Sequence, residues 1–238
     1  MQVTGNNIQK NSKSIRFSTG GLSLCANGVC KSFSFDISDQ NFHKSMAICL
    51  CEDLMKDSNL DIWDIYIDNP YYSIIPQEIG SKEICISAFK LNFPDANTNH
   101  IIMLEENDRH NLISTFGVHN GLYEFIKTHF PLHKIHHYSI NGIIKSIEHS
   151  KSSGGKEVWA SAENNSLLIN LVENGKLLLT NSFNIKTPTD CLYFIGSVYE
   201  QFDLSKKNTP LFFCGDKSYL KLLEKHISIC NNIPTLCE

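Results

Sequence analysis

Two stretches of this chain, 15–67 and 158–214, run through the same succession of hydrophobic periods, and few folds accommodate that. From Ser14 to Asp36 the sequence alternates, with Leu22, Leu24, Val29, Phe33 and Phe35 on one face and Ser23, Cys25, Cys30, Ser32 and Ser34 on the other. A period of two means strands. They meet at Asn27-Gly28, residues that tolerate the positive φ angles of a two-residue hairpin turn. Asp39 to Asp57 then takes a helical period, Phe42, Met46, Cys49, Leu50 and Leu54 sharing one stripe behind an Asp39 cap. Ile62 to Ile67 reads as a buried strand closed by Asp68-Asn69-Pro70, and a strand after a helix in this way suggests a parallel crossover. In the second stretch Val158–Ala162, Leu167–Val172, the turn Asn174-Gly175 and Leu177–Phe183 repeat the meander. Pro188 to Phe202 repeats the helix, Pro210–Cys214 the strand, and Ser218–Ile229 predicts a closing helix.

Between them, Tyr72–Ile79 is extended and ends in a helical turn with Pro76 at its first position. Strands are expected at 84–92 and 100–105, an amphipathic helix from Asp108 to His129 weakened by Gly117 and Gly121, a strand at 134–139 and a helix at 141–149. Lys151-Ser-Ser-Gly-Gly-Lys156 is small, polar and without apolar residues, as a linker would be. The expected fold is therefore α/β, with a first lobe at 1–150 that carries extra strands and a second at 157–238.

A chain of 238 residues with 42% hydrophobic and 19% charged residues can bury a self-supporting core. Its formal charge is −4, and Arg16 and Arg109 are its only arginines, so no basic stripe reads phosphates or bases and nucleic acid is not an expected partner. The start lacks the basic and apolar regions of a leader, and no apolar run approaches the roughly 18 residues of a membrane span. Nine cysteines scattered in apolar segments suit a reducing compartment, so the expected location is cytoplasmic.

A doubled meander, helix, strand and helix is the topology of the ribonuclease-H-like halves of the actin-like ATPase superfamily, which this chain resembles. More narrowly, Pro76-Gln77-Glu78 and the ending Leu211-Phe-Phe-Cys-Gly-Asp-Lys-Ser-Tyr-Leu220 look like a small bacterial family of that fold, known as a domain of unknown function. The resemblance implies mixed sheets with helices packed on them, and a Gly-rich, aspartate-led turn after the first strand of each half. Backbone amides there cradle phosphates while the carboxylate positions a metal and its water. Here the first turn is Phe17-Ser18-Thr19-Gly20-Gly21-Leu22, with Ser18 near the place of the acid. The second is Ala160–Ser166, which has no glycine and offers Glu163 and Asn164 instead. The adenosine-binding turn is reduced to Cys214-Gly215-Asp216.

Each of these has a plainer explanation. Gly20-Gly21 serves as a twisted bend, Gly215-Asp216 as a turn with a helix cap, and Glu163-Asn164 as a solvated turn. A negative Asp216 would also repel nucleotide phosphates unless a metal intervened. His129, His133, His136 and His137 are closely spaced, but Pro131 breaks the helix an i, i+4 ligand pair needs and strand alternation separates His136 from His137. Cys25 and Cys30 stand opposite one another across the hairpin; a disulfide is geometrically allowed there, and two reduced thiols are expected.

The leading expectation is a binding or scaffold protein with a depleted nucleotide site, without a resident cofactor and with a protein partner still to be identified. One rival is an ATP-dependent enzyme or nucleotide switch that uses ATP and magnesium through Glu163 or Asp216. Another is an ATP-independent interaction module that recruits a protein through helix 108–129 or an open strand edge.

Overall fold

The computed structural model describes residues 13–18, 20–26, 29–34, 63–163 and 165–234. It divides into two compact units, Met1–Tyr138 and Ser139–Glu238.

In the first unit, β1 (Lys13–Ser18), β2 (Gly21–Ala26) and β3 (Val29–Ser34) form the meander. With β4 (Trp63–Asp68) and β8 (Ile135–His137) they make a sheet of order β3-β2-β1-β4-β8, in which β4 is parallel to both β1 and β8. Ala26 pairs with Val29, a register that leaves the two residues a hairpin turn requires. Asn27-Gly28 and the expected helix at Asp39–Asp57 lie outside the described residues. Period two holds along β1 and β4: Ile15, Phe17, Ile65 and Ile67 are buried, while Arg16, Tyr66 and Asp68 are only partly so. Each such buried side chain contributes roughly 1.5–3 kcal/mol against exposure. Cys25 is disulfide-bonded, and its register partner is Cys30. This corrects the expectation of a reduced thiol at Cys25.

The remainder of this unit departs from the periodicity. β5 (Tyr72–Pro76), β6 (His100–Asn107) and β7 (Leu112–His119) form a second, antiparallel sheet of order β5-β7-β6. The stretch expected as a strand at 84–92 is instead a helix, α1 (Lys82–Asn92). Ser81 caps it by accepting a hydrogen bond from the Ile84 amide, and Cys85 and Phe89, four apart, turn inward. The helix expected over Asp108–His129 is half a strand: β7 occupies its first part, and only α2 (Asn120–His129) is helical. Every residue of β7 from Leu112 to Val118 is buried, Ser114 and Thr115 included. A strand covered on both faces shows no alternation.

In the second unit, β9 (Lys156–Glu163), β10 (Ser166–Glu173), β11 (Lys176–Asn184), β12 (Leu211–Cys214) and β13 (Cys230–Asn232) are threaded in the order β11-β10-β9-β12-β13, the same plan as the first sheet. Helix α3 (Ser139–Ser153) lies against β9–β11, so Lys151–Ser153 belong to its last turn and Gly154-Gly155 make the connection. A core of Val158, Ala160, Leu167, Ile169, Leu211 and Phe213 packs on α4 (Pro188–Gln201) and α5 (Lys217–Leu223). Thr187 and Asp190 close a capping box at the start of α4, with Pro188 in the first turn. The last helix stops at Leu223 rather than running to Ile229, because the chain returns as β13 and pairs with the open edge of β12.

No helix among the described residues is long and apolar enough to cross a membrane.

Candidate functional site

Parallel pairing brings Ser18, the last residue of β1, directly opposite Asp68, the last of β4. The Ser18 hydroxyl donates to the Gly21 carbonyl at 3.4 Å, inside its own turn. Gly21 has φ +145°, and a Cβ there would stand 1.9 Å from the Phe33 carbonyl oxygen, so glycine is imposed by the neighbouring strand. Gly20 is different. Among the described residues, a Cβ added to it meets nothing within 4 Å.

The acid at this end of the sheet comes from β4. Asp68 Oδ2 accepts from Arg16 Nε at 3.0 Å and Nη2 at 2.6 Å, and the guanidinium lies 3.6 Å over the ring of Tyr138. The side chains are 19% and 26% exposed, a half-wet position in which a charge-assisted pair is stronger than at the surface and can still change partners. Next to it on the same sheet face, His136 pairs through Nδ1 with Glu105 Oε1 of β6 at 2.5 Å. That hydrogen bond outweighs burial and holds His136 above the ordinary imidazole range. The other Glu105 oxygen is buried and has no hydrogen-bond partner among the described residues.

His137 turns to the opposite face. It sits between the rings of Tyr72 and Phe116, with Nε2 3.0 Å from the Asn69 carbonyl, and complete burial pushes its pKa down to about 4. Its Nε2–H donates to Asn69, whose side chain in turn donates to Gly117 O and accepts from Tyr71 N. These bonds tie the end of β4 to β5 and β7.

In the second unit, Cys214, the last residue of β12, pairs with Ser161 of the parallel β9, so Gly215 and Glu163 lie at neighbouring strand ends. A side chain at Gly215 would meet the Phe213 ring at 2.9 Å and the Ala162 carbonyl at 3.1 Å. Asp216 caps α5: its Oδ1 accepts from the Ser218 amide at 2.7 Å, and this bond lowers its pKa. Glu163 is partly buried in the β9–β10 turn, which Asn165 completes at φ +62°. Asn164 lies outside the described residues.

The structure therefore joins Ser18, Gly20 and Gly21 at one strand end of the first unit, and Glu163, Gly215 and Asp216 at one strand end of the second. Arg16 and Asp68 went unremarked as site residues in the sequence. A signal existed for Arg16, one of two arginines in the chain and two positions before Ser18 on the same strand face. None existed for its pairing with Asp68, 52 residues away.

Residues 2–230 match the family described as Protein of unknown function (DUF3822). The chain belongs to this family. No curated protein matches it. Among solved structures, this DUF3822 chain is similar to a Bacteroides thetaiotaomicron protein with actin-like ATPase fold and unknown function. The TM-score is 0.82 at 23% identity, over 95% of this chain and 92% of that one. It is also similar to a chain of the PilM-PilN type IV pilus biogenesis complex, with TM-score 0.56 and 9% identity over 94% of this chain and 88% of that one. The DUF3822 chain thus has the actin-like ATPase fold, two ribonuclease-H-like halves built on mixed sheets.

Proposed function

We propose that this DUF3822 chain is a non-catalytic binding or scaffold protein, a doubled fold whose triphosphate chemistry has been given up. The observation that carries the reading is the grip of Arg16 on Asp68. A carboxylate that is to hold magnesium or orient a water must present free, negative oxygen. Asp68 stands at the right end of the sheet for that, yet its charge is neutralised by a guanidinium that is itself held over Tyr138. Asp216 points the same way, being engaged as a helix cap. The similarity to a protein found in a PilM-PilN complex supports a role in holding a protein partner.

The rival, a nucleotide switch or enzyme, draws support from Gly20, whose open surroundings leave room for a phosphate, and from the presence of any carboxylate opposite Ser18. Calorimetric titration of the whole chain with ATP and magnesium decides. No measurable heat at high micromolar protein is expected; micromolar affinity with phosphate release removes the scaffold reading.

A further inference from the structure

Among the described residues the edge of the three-stranded sheet is open along β6, and the hydrogen bonds of its neighbours fix which backbone groups face outward. Gly117 N donates to Tyr71 O, and Asn111 O accepts from Gln77 N, so the odd-numbered residues of β7 point toward β5. The even-numbered ones, Leu112, Ser114, Phe116 and Val118, therefore bond to their partners Asn107, Glu105, Met103 and Ile101 of β6. That leaves the amides and carbonyls of His100, Ile102, Leu104 and Glu106 directed outward, and among the described residues no backbone hydrogen bond reaches them. No residue of β6 is buried, although β7 beside it is buried from Leu112 to Val118.

Natural edges are blunted by prolines, lysines, bulges or shortness. In this chain β5 ends in Pro76, β3 carries the exposed Lys31, the β10–β11 ladder is bulged, and β8 and β13 have three residues each. Over its eight residues β6, with His-Ile-Ile-Met-Leu-Glu-Glu-Asn, has no proline, lysine or bulge, and its carboxylates, Glu105 and Glu106, stand together near one end and leave Ile101–Leu104 unguarded.

We infer that two copies of this chain join by antiparallel pairing of their β6 edges about a two-fold axis at Met103. The sequence of the edge is complementary to itself in that register. Each outward Ile102 falls opposite a Leu104 and each Glu106 opposite a His100, so apolar residues meet at the centre and no carboxylate faces another. Moving the axis to Leu104 sets Ile102 against Glu106; moving it to Ile102 sets His100 against Leu104 and leaves Glu106 beyond the strand. With the axis at Met103, Ile101 stands across from Glu105, whose carboxylate is already turned to His136. The interface is isologous, and the two three-stranded sheets become one of six.

Sedimentation of the whole chain tests this, with a dimer expected whose fraction rises with concentration. Ile102→Pro removes an outward N–H that the β6–β7 ladder does not use, and is expected to yield a monomer with the wild-type circular dichroism spectrum. Should that variant misfold, Met103→Cys serves in its place. The two Met103 positions form a non-hydrogen-bonded pair with α-carbons about 4.5 Å apart, so mild oxidation gives a covalent dimer. Glu106→Cys, several residues from its own copy, does not cross-link. A wild-type monomer at about 100 μM, which would leave the edge to a strand of another protein, overturns the inference. So does a dimer that survives Ile102→Pro with the fold intact, or cross-linking at position 106 rather than 103.

Discussion

The two five-stranded sheets are threaded in the same order, but they hold their polar clusters at opposite ends. In the first unit Arg16, Asp68 and Tyr138 gather where the parallel strands β1 and β4 finish, and the ion pair remains partly wet. In the second, the polar cluster is at the start of β9. Glu157, with its side chain 3% exposed, accepts from Ser153, from the Trp159 indole at 2.9 Å and from His149 Nδ1 at 2.9 Å, while Trp159 stacks on Phe212. Ligands of open α/β sheets bind beyond the carboxyl ends of the strands, so a half-exposed cluster there is positioned to exchange partners. A buried one at the other end fastens α3 to its sheet. The polar pair of the first unit stays partly exposed at its strand ends, whereas the acid of the second is buried against α3.

The sharpest way to break this contrast is Glu157→Ala. It leaves the Trp159 N–H and the Ser153 and His149 donors without their acceptor, and a loss of about 3–5 kcal/mol in urea unfolding is expected. A loss below about 1 kcal/mol would make the two clusters equivalent.

Acid is the next largest effect, and it falls on the first unit. His137 is neutral when folded, with its pKa pushed down to about 4, so the unfolded chain binds the proton more readily between that value and 6.5. Its contribution is complete above 6.5 and is lost as pH falls toward 4, amounting to about 3 kcal/mol at the lower limit. Urea midpoints at pH 7 and pH 4.5 are expected to converge in His137→Phe relative to the wild type.

Arg16→Ala should cost only about 1 kcal/mol, because the pair is partly exposed. Its second readout is more telling: magnesium binding by calorimetry in the variant and not in the wild type would show that Arg16 is what silences Asp68.

Smallest is Glu105→Gln. His136 is held above its ordinary value by Glu105, so the pair stabilises the fold fully below 6.5 and loses that contribution as pH rises through the raised pKa. NMR titration should show the His136 pKa fall toward 6.5 in the variant, with stability at pH 6 reduced by less than about 1 kcal/mol.

How far local pattern carried is clear from particular stretches. Leu167–Val172 with the turn at Asn174-Gly175, and the capped helix beginning at Pro188, were legible because period, turn and cap are written within a dozen residues. Lys82–Asn92 was not: its run of Ile, Cys, Ile, Ala and Phe suits a buried strand as well as a helix, and the choice fell to the Ser81 cap and the burial of Cys85 and Phe89. Leu112–His119 misled for the reverse reason. Gly117, which weakens a helix, is there because a Cβ would lie 2.8 Å from the Phe89 ring.

The amino-acid sequence by itself determined the meanders of both halves, the parallel strands β4 and β12 that follow them and the helix of the second half, and with them the strand ends at Ser18 and Glu163, since hydrophobic period and turn chemistry act over a few residues. Only the tertiary structure decided which carboxylate stands at the first of those ends and what holds it. Arg16 meets Asp68, Glu105 meets His136 and Asn69 meets His137 across strands far apart in the chain, where charge and burial depend on which strands become neighbours.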